Sequence, residues 1–340
     1  MLKFDFYESG VGETIIVTFP NGGIGVIDAH PSPTSSRPAI LEIVGKRQIH
    51  FICLTHPHAD HGKDLVSIVK GGAKVKSFWH TISELNVFFF GLTQTLNSPG
   101  PLREVINRFR TGWASFLVDL FNAATVADIP LHQLRADIEP TNIDGVSIFC
   151  LSPEEELQRA FTKAYQRLSV GEAVRHPDPN RLSAILAFLY GSSVVLLGAD
   201  ALKLNWQTAA TRYRKHGLPK AVLLKVPHHG ASNAFLRHPR PGESNYLDLV
   251  AKEGGHAVLF AGDAEHPDGD VYDALRAQTE VRCLSNGTRE ALPEIDPLRL
   301  GVIGGRSAEV PSRICNQVVS FQIDESAKLI VPVGRTCGSC

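Results

Sequence analysis

Apolar and polar positions alternate in short runs at the start of the chain. Phe4–Tyr7, Thr14–Phe19 and Gly25–Ile27 read as β-strands, and Pro20-Asn21-Gly22-Gly23 between the last two is a hairpin signal. His50–Leu54 is a continuous apolar run suited to a buried strand. Lys63–Lys70 has the spacing of an amphipathic helix, and Lys74–Trp79 reads as a further strand. The pattern then changes. Residues 84–135 carry helical periodicity, and Pro101 opens a helix running from Leu102 towards Ala124 through Val105, Phe109, Phe116 and Leu120. Strand character returns at Val146–Leu151. A helix over Pro153–Leu168 follows, with Glu154, Glu155 and Glu156 in its first turn, and then a polar loop at 170–181. Ser183–Tyr190 and Ser193–Leu197 are strands joined by the turn Gly191-Ser192. A helix over Trp206–Lys215, a strand at Ala221–Val226, an apolar run at His256–Phe260 and a helix near Val271–Gln278 come next. Strands near Gln317–Ile323 and Lys328–Val331 close the pattern. Two strand-rich halves flank a helical stretch, which predicts a layered α/β fold with sheets packed between helices.

Composition narrows the class. The chain has 340 residues, 43% of them apolar and 20% charged, as in an ordinary globular protein. A net charge of −1 argues against a protein that coats nucleic acid, though not against a local basic groove. The N-terminus lacks the features of a signal peptide, and no uninterrupted apolar run is long enough to span a bilayer. The expected location is therefore cytoplasmic, with no membrane association. The six cysteines are scattered and do not form a secreted framework. Cys53, Cys150, Cys283 and Cys315 mostly fall in apolar runs and read as buried and inert, whereas Cys337-Gly338-Ser339-Cys340 reads as a frayed terminus.

The chemistry concentrates in Thr55-His56-Pro57-His58-Ala59-Asp60-His61-Gly62, between a strand and a helix. His56 and His58 lie two apart and project to one side in extended backbone. Four metal-competent side chains in so short a run cannot all be core residues, because each would need a buried partner. Three further groups follow strand runs: Asp28 after Gly25-Val26-Ile27, Asp200 after Val194–Ala199, and His228 and His229 after Val222–Pro227. Functional groups at strand ends are how α/β folds build sites.

The pattern His56-x-His58-x-Asp60-His61, followed in order by Asp200 and His228/His229, resembles the metallo-β-lactamase signature. Within that superfamily the chain is similar to the hydrolase domain of the DNA-uptake channel protein ComEC. The matching runs are Gly10-Val11-Gly12-Glu13, Pro20-Asn21-Gly22 with Ile27-Asp28-Ala29, Asn180-Arg181-Leu182-Ser183, Leu196–Asp200, Leu224–Ala231 and Glu265-His266-Pro267. The resemblance covers residues 1–80, 146–200 and 221–290. It implies a single domain over residues 1–340 with an αββα sandwich, two mixed β-sheets between helical layers, and a helical insertion at about 81–145. The superfamily's free-standing third-motif histidine has no obvious match; His176 is a substitute, and His80 stands where the superfamily does not normally use a metal ligand.

The resemblance also implies a site for two divalent cations, Zn²⁺ or Mn²⁺. His56 and His58 would hold the first with an undefined third group. Asp60, His61 and His228 would hold the second, and Asp200 would bridge. It leaves His228 and His229 open as alternatives. His228 is preferred, with His229 beside the substrate. Asp60 would also orient the nucleophile, and His229 and His266 would contact a phosphate or protonate a leaving oxygen. Asp28 would hold a ligand histidine, and Asn180, Ser183 and His176 would support ligands or substrate. The expected activity is that of a phosphodiesterase or nuclease, with DNA among the candidate substrates. The basic residues Lys46, Arg47, Lys63, Arg181, Lys225, Arg237 and Arg240 favour it weakly. The rivals are hydrolysis of a lactone, lactam or thioester, and a non-catalytic metal-bound scaffold. Phe88, Phe89, Phe90, Phe109, Trp113 and Phe116, in the 84–135 segment, read either as a surface for a homodimer or protein partner, as a lid, or as a small helical core.

Overall fold

The structure is a computed structural model. It describes residues 1–7, 9, 12–31, 39–85, 113–169, 172, 178–260, 266–284, 318–324, 326 and 329–330. His176, Cys337 and Cys340 lie outside them, as do Phe88, Phe89, Phe90, Phe109 and the side chain of Trp113.

One sheet contains β1 (Leu2–Tyr7), β2 (Thr14–Thr18), β3 (Ile24–Ile27), β4 (Ile49–Leu54), β5 (Phe78–His80) and β6 (Leu131–Gln133). Its eight strands are ordered β15-β14-β1-β2-β3-β4-β5-β6, where β14 is Val318–Ile323 and β15 is Leu329–Ile330. The second sheet contains β7 (Thr141–Ile143), β8 (Val146–Ser152), β9 (Ile185–Tyr190), β10 (Ser193–Leu197), β11 (Leu223–Lys225), β12 (His256–Phe260) and β13 (Glu280–Leu284), in the order β13-β12-β11-β10-β9-β8-β7. Each sheet is mixed. β3 to β6 run parallel in the first, and β10 to β13 run parallel in the second.

Both faces of the central strands of each sheet are buried, and period-two alternation divides the apolar residues between layers. Ile15, Val17, Phe51 and Cys53 point between the sheets, where they meet Phe188, Val195, Leu197, Val258 and Phe260. Ile16, Val26, Ile52 and Leu54 point outward, beneath helices α1 (Ile40–Val44), α2 (Ala59–Lys70), α3 (Trp113–Val126) and α4 (Glu155–Ser169). The second sheet's outer face packs Val194, Leu196, Leu224 and Leu259 against α5 (Lys203–Lys215) and α6 (Gly269–Gln278). The layers are therefore helix, sheet, sheet, helix, the αββα sandwich expected from the sequence. Among the described residues no helix is long and apolar enough to cross a membrane.

Several local expectations change. Leu131–Gln133 and Thr141–Ile143 lie in the stretch read as a helical insertion, yet they are edge strands, one on each sheet. They are three residues long and partly exposed, so pairing with β5 and β8 decides their conformation and periodicity cannot reveal it. Helix α3 does occupy part of that segment, with Phe116, Leu117 and Leu120 buried; Phe116 is thus a core residue. Helix α2 begins at Ala59 rather than Lys63, which puts Asp60 and His61 in its first turn. Cys283 is disulfide-bonded rather than an inert thiol, while Cys53 and Cys150 are free.

Candidate metal centre

The parallel strands of the two sheets end at a common site. The loop after β3 brings Asp28, the loop after β4 brings His56, His58, Asp60 and His61, the turn after β10 brings Asp200, and the turn after β11 brings His228 and His229. A fifth contributor is the β1–β2 loop. It lies so close to the start of α2 that a Cβ on Gly12 would sit 2.2 Å from the Asp60 carbonyl oxygen. Glycine is needed there for approach, and the next residue, Glu13, is carried into the site.

Two groups of potential ligands share Asp200. One is His56, His58 and Asp200; the other is Glu13, His61, Asp200 and His229, with the ligand atoms of each group within 4.8 Å of one another. Asp200 Oδ2 lies 3.8 Å from His56 Nε2 and 3.4 Å from His61 Nε2, and Asp200 Oδ1 lies 4.0 Å from His229 Nε2. His56 Nε2 and His58 Nδ1 are 3.1 Å apart.

Hydrogen bonds behind the rings fix which nitrogen faces inward. Asp28 Oδ2 accepts from His61 Nδ1 at 2.7 Å and from Thr55 Oγ1 at 2.6 Å, and Asp28 Oδ1 accepts from the Thr55 backbone N–H at 2.9 Å. Because the Thr55 hydroxyl donates to Asp28, its oxygen accepts from His56 Nδ1 at 3.2 Å. His229 Nδ1 donates to the Phe260 carbonyl at 3.1 Å. In all three rings Nδ1 therefore carries a proton, and Nε2 is the atom turned towards the site.

Burial and charge act differently on each group of the metal-free cluster. Burial alone would lower His61, but Asp200, Asp28 and Asp60 outweigh it and hold the ring well above its ordinary pKa. Burial would raise Asp200, yet His61, His229 and His56 bring it well below the usual carboxylate range. Burial pushes His56 far down, helped by His61 and His58. Glu13 is raised by burial against the opposing pull of Lys225 and His61.

The donor set suits a divalent cation. His61 Nε2 and Asp200 Oδ1 are buried without a hydrogen-bond partner among the described residues, and both face this cluster. Buried polar atoms left in this state are costly unless something else satisfies them. Imidazole and carboxylate donors fit Zn²⁺ and Mn²⁺ alike.

Two expectations reverse. His229, not His228, joins His61 and Asp200. Both residues adopt left-handed backbone, at φ 46° and 53°, so the turn sends their side chains to different places. His228 Nδ1 donates to Asn233 Oδ1 at 2.8 Å, its Nε2 lies 3.4 Å from Asn180 Nδ2, and its ring centroid is 6.0 Å from that of His266. Lys225 is not a surface cation available to substrate. It is fully buried and paired with Glu13.

The other candidates take their places around the cluster. Asp60 is partly exposed and belongs to neither ligand group, with Oδ2 3.8 Å from His61 Nε2. Asn180 sits in a short 3₁₀ turn capped by Asp178, and Ser183 is buried with no hydrogen-bond partner for its hydroxyl among the described residues. His80 ends β5 and belongs to neither ligand group; it packs on Phe78 and Phe121, where burial lowers it to about 3. Glu13 is the site residue that sequence reading left without a role. The available signal was an acid directly after a glycine-rich turn.

No protein-family model matches the chain, and neither does any curated protein. Solved structures are similar to it at low identity. The CmlA β-hydroxylase overlaps at TM-score 0.45 and 12% identity, over 83% of this chain and 52% of that one, so the chain spans about half of CmlA. Igni18, a metallo hydrolase from the archaeon Ignicoccus hospitalis, overlaps at TM-score 0.43 and 13% identity, over 84% of this chain and 96% of that one. Zn²⁺-bound PqqB from Methylobacterium extorquens overlaps at TM-score 0.41 and 10% identity, over 80% and 85% respectively.

Proposed function

We propose that this chain is a metal-dependent hydrolase acting on phosphodiesters, nucleic acid among them. The observation that carries this reading is the pair of histidine groups converging on one buried carboxylate, Asp200. His56, His58 and Asp200 would hold one cation, and His61, Asp200 and His229 would hold a second. Cations held there would supply Lewis acidity, making water a nucleophile near neutral pH and offsetting charge on phosphoryl oxygens.

The chain's own residues do the rest. Asp28 and Thr55 hold Nδ1 of His61 and His56, and the Phe260 carbonyl holds that of His229, so their Nε2 atoms stay aimed at the site. Asp60, at the margin and partly exposed, accepts a hydrogen bond from the incoming water and orients it. His228 and His266 stand beside each other outside the ligand groups, with the Asn180 amide at their edge, and form the wall against which a phosphate would lie. Asn233 and Asn180 fix the His228 ring.

The test is a metal-free preparation titrated with Mn²⁺, Zn²⁺ and Mg²⁺ on bis-p-nitrophenyl phosphate, single-stranded DNA and duplex DNA. Metal-dependent cleavage, lost in Asp60→Ala and His229→Ala, is expected. Stoichiometric metal binding without cleavage of any phosphodiester would overturn the substrate class, and a lactone or thioester panel would follow.

A further inference from the structure

Lys225 closes strand β11 in a run of buried apolar residues, and its side chain is wholly inaccessible to solvent. A buried ammonium is tolerated only when paired and hydrogen-bonded. Here Nζ contacts the Glu13 carboxylate and donates to the Ala199 carbonyl at 2.9 Å. It also stands 4.0 Å from Asp200 Oδ1, the carboxylate shared by both ligand groups. Ala199 itself is held at φ 43°, and its carbonyl also accepts the His228 backbone N–H at 2.9 Å. The ammonium thus sits among the β1–β2 loop, the Asp200 turn and its own strand.

A fixed positive charge beside a cation site weakens binding of that cation unless something cancels it. Glu13 is placed to cancel it. We propose that Glu13 is the internal counterion of Lys225 rather than a metal ligand, and that the pair sets the affinity of the site by keeping the lysine's charge neutralised next to Asp200. The proposal rests on reading the cluster as a metal site and is independent of the substrate.

The experiment measures Mn²⁺ and Zn²⁺ affinity by chelator competition in the intact protein, with no activity assay. It compares wild type, Glu13→Gln and the double variant Glu13→Gln with Lys225→Met. The double variant removes both charges together, leaves no unpaired ion and is expected to fold. Far-UV circular dichroism and thermal unfolding check that both variants are folded. Glu13→Gln alone leaves the ammonium uncompensated and should weaken binding at least tenfold. The double variant restores neutrality and should return to within about threefold of wild type. Equal weakening in the two variants would mean that Glu13 is a ligand, and would overturn the proposal. No weakening in Glu13→Gln would overturn it too. Wild type that binds neither ion would instead remove the metal-site reading, and the proposal with it.

Discussion

Asp28→Asn tests how the ring orientations are set. The carboxylate accepts three hydrogen bonds, two of them from Thr55 and one from His61 Nδ1. Asparagine has one acceptor oxygen in place of two. If that oxygen stays on the Thr55 backbone N–H, the amide NH₂ faces His61 Nδ1 and the Thr55 hydroxyl. His61 must then accept at Nδ1 and carry its proton on Nε2, the atom 3.4 Å from Asp200 Oδ2. The lone pair leaves the site without any change of fold. Loss of such a supporting partner costs about 10- to 100-fold in metal affinity, which is about 1.4 to 2.7 kcal/mol. The hydroxyl of Thr55 can rotate to donate elsewhere, so His56 is disturbed less. The assay is chelator competition with Zn²⁺ and Mn²⁺, alongside ¹⁵N spectra of the histidine rings in the Zn²⁺-loaded protein that report which nitrogen of His61 is protonated. An affinity within threefold of wild type, with His61 still protonated at Nδ1, would refute the reasoning.

Other outcomes follow from neighbouring features. Because His61 is held well above its ordinary pKa in the metal-free protein, cation binding must displace its proton; calorimetry in buffers of different ionisation enthalpy should detect proton release, and affinity should rise with pH. That same raised pKa stabilises the metal-free fold below the unfolded value of about 6.5, and the contribution is lost as pH climbs through the folded value. His80 has the opposite sign. Its pKa falls from 6.5 to about 3 on folding, so the unfolded chain takes up the proton first and stability is lost as pH falls through that window. The loss from pH 7 to pH 5 is about 2 kcal/mol, and denaturant titrations of His80→Gln should lack it. Gly12→Ala places a methyl group against the Asp60 carbonyl, where it cannot fit. It should cost about 1 to 3 kcal/mol in urea unfolding, and weaken metal binding as Glu13 is displaced.

What the sequence discloses and what it hides divide along a physical line. The His56–His61 cluster is legible because four functional groups fall on one loop, and local spacing alone brings them together. Asp28 and Asp200 are legible as acids that end apolar runs. The edge strands Leu131–Gln133 and Thr141–Ile143 are not, because only the neighbouring strand makes them extended. The choice between His228 and His229 is hidden for another reason. It depends on backbone handedness at two adjacent positions, and histidine does not mark a left-handed position as glycine can. Lys225 shows the deepest limit. In sequence it is a basic residue beside a motif and reads as solvated or substrate-facing. In the fold its strand lies between β10 and β12, buried on both faces, so no route to water exists for the ammonium. A lysine inside a buried parallel strand must have an acid within reach, and here that acid comes from the other sheet. The run Leu223-Leu224-Lys225-Val226 therefore contained a prediction that could have been made, that a buried carboxylate meets the end of this strand. Finding that the carboxylate is Glu13 required stacking the two sheets.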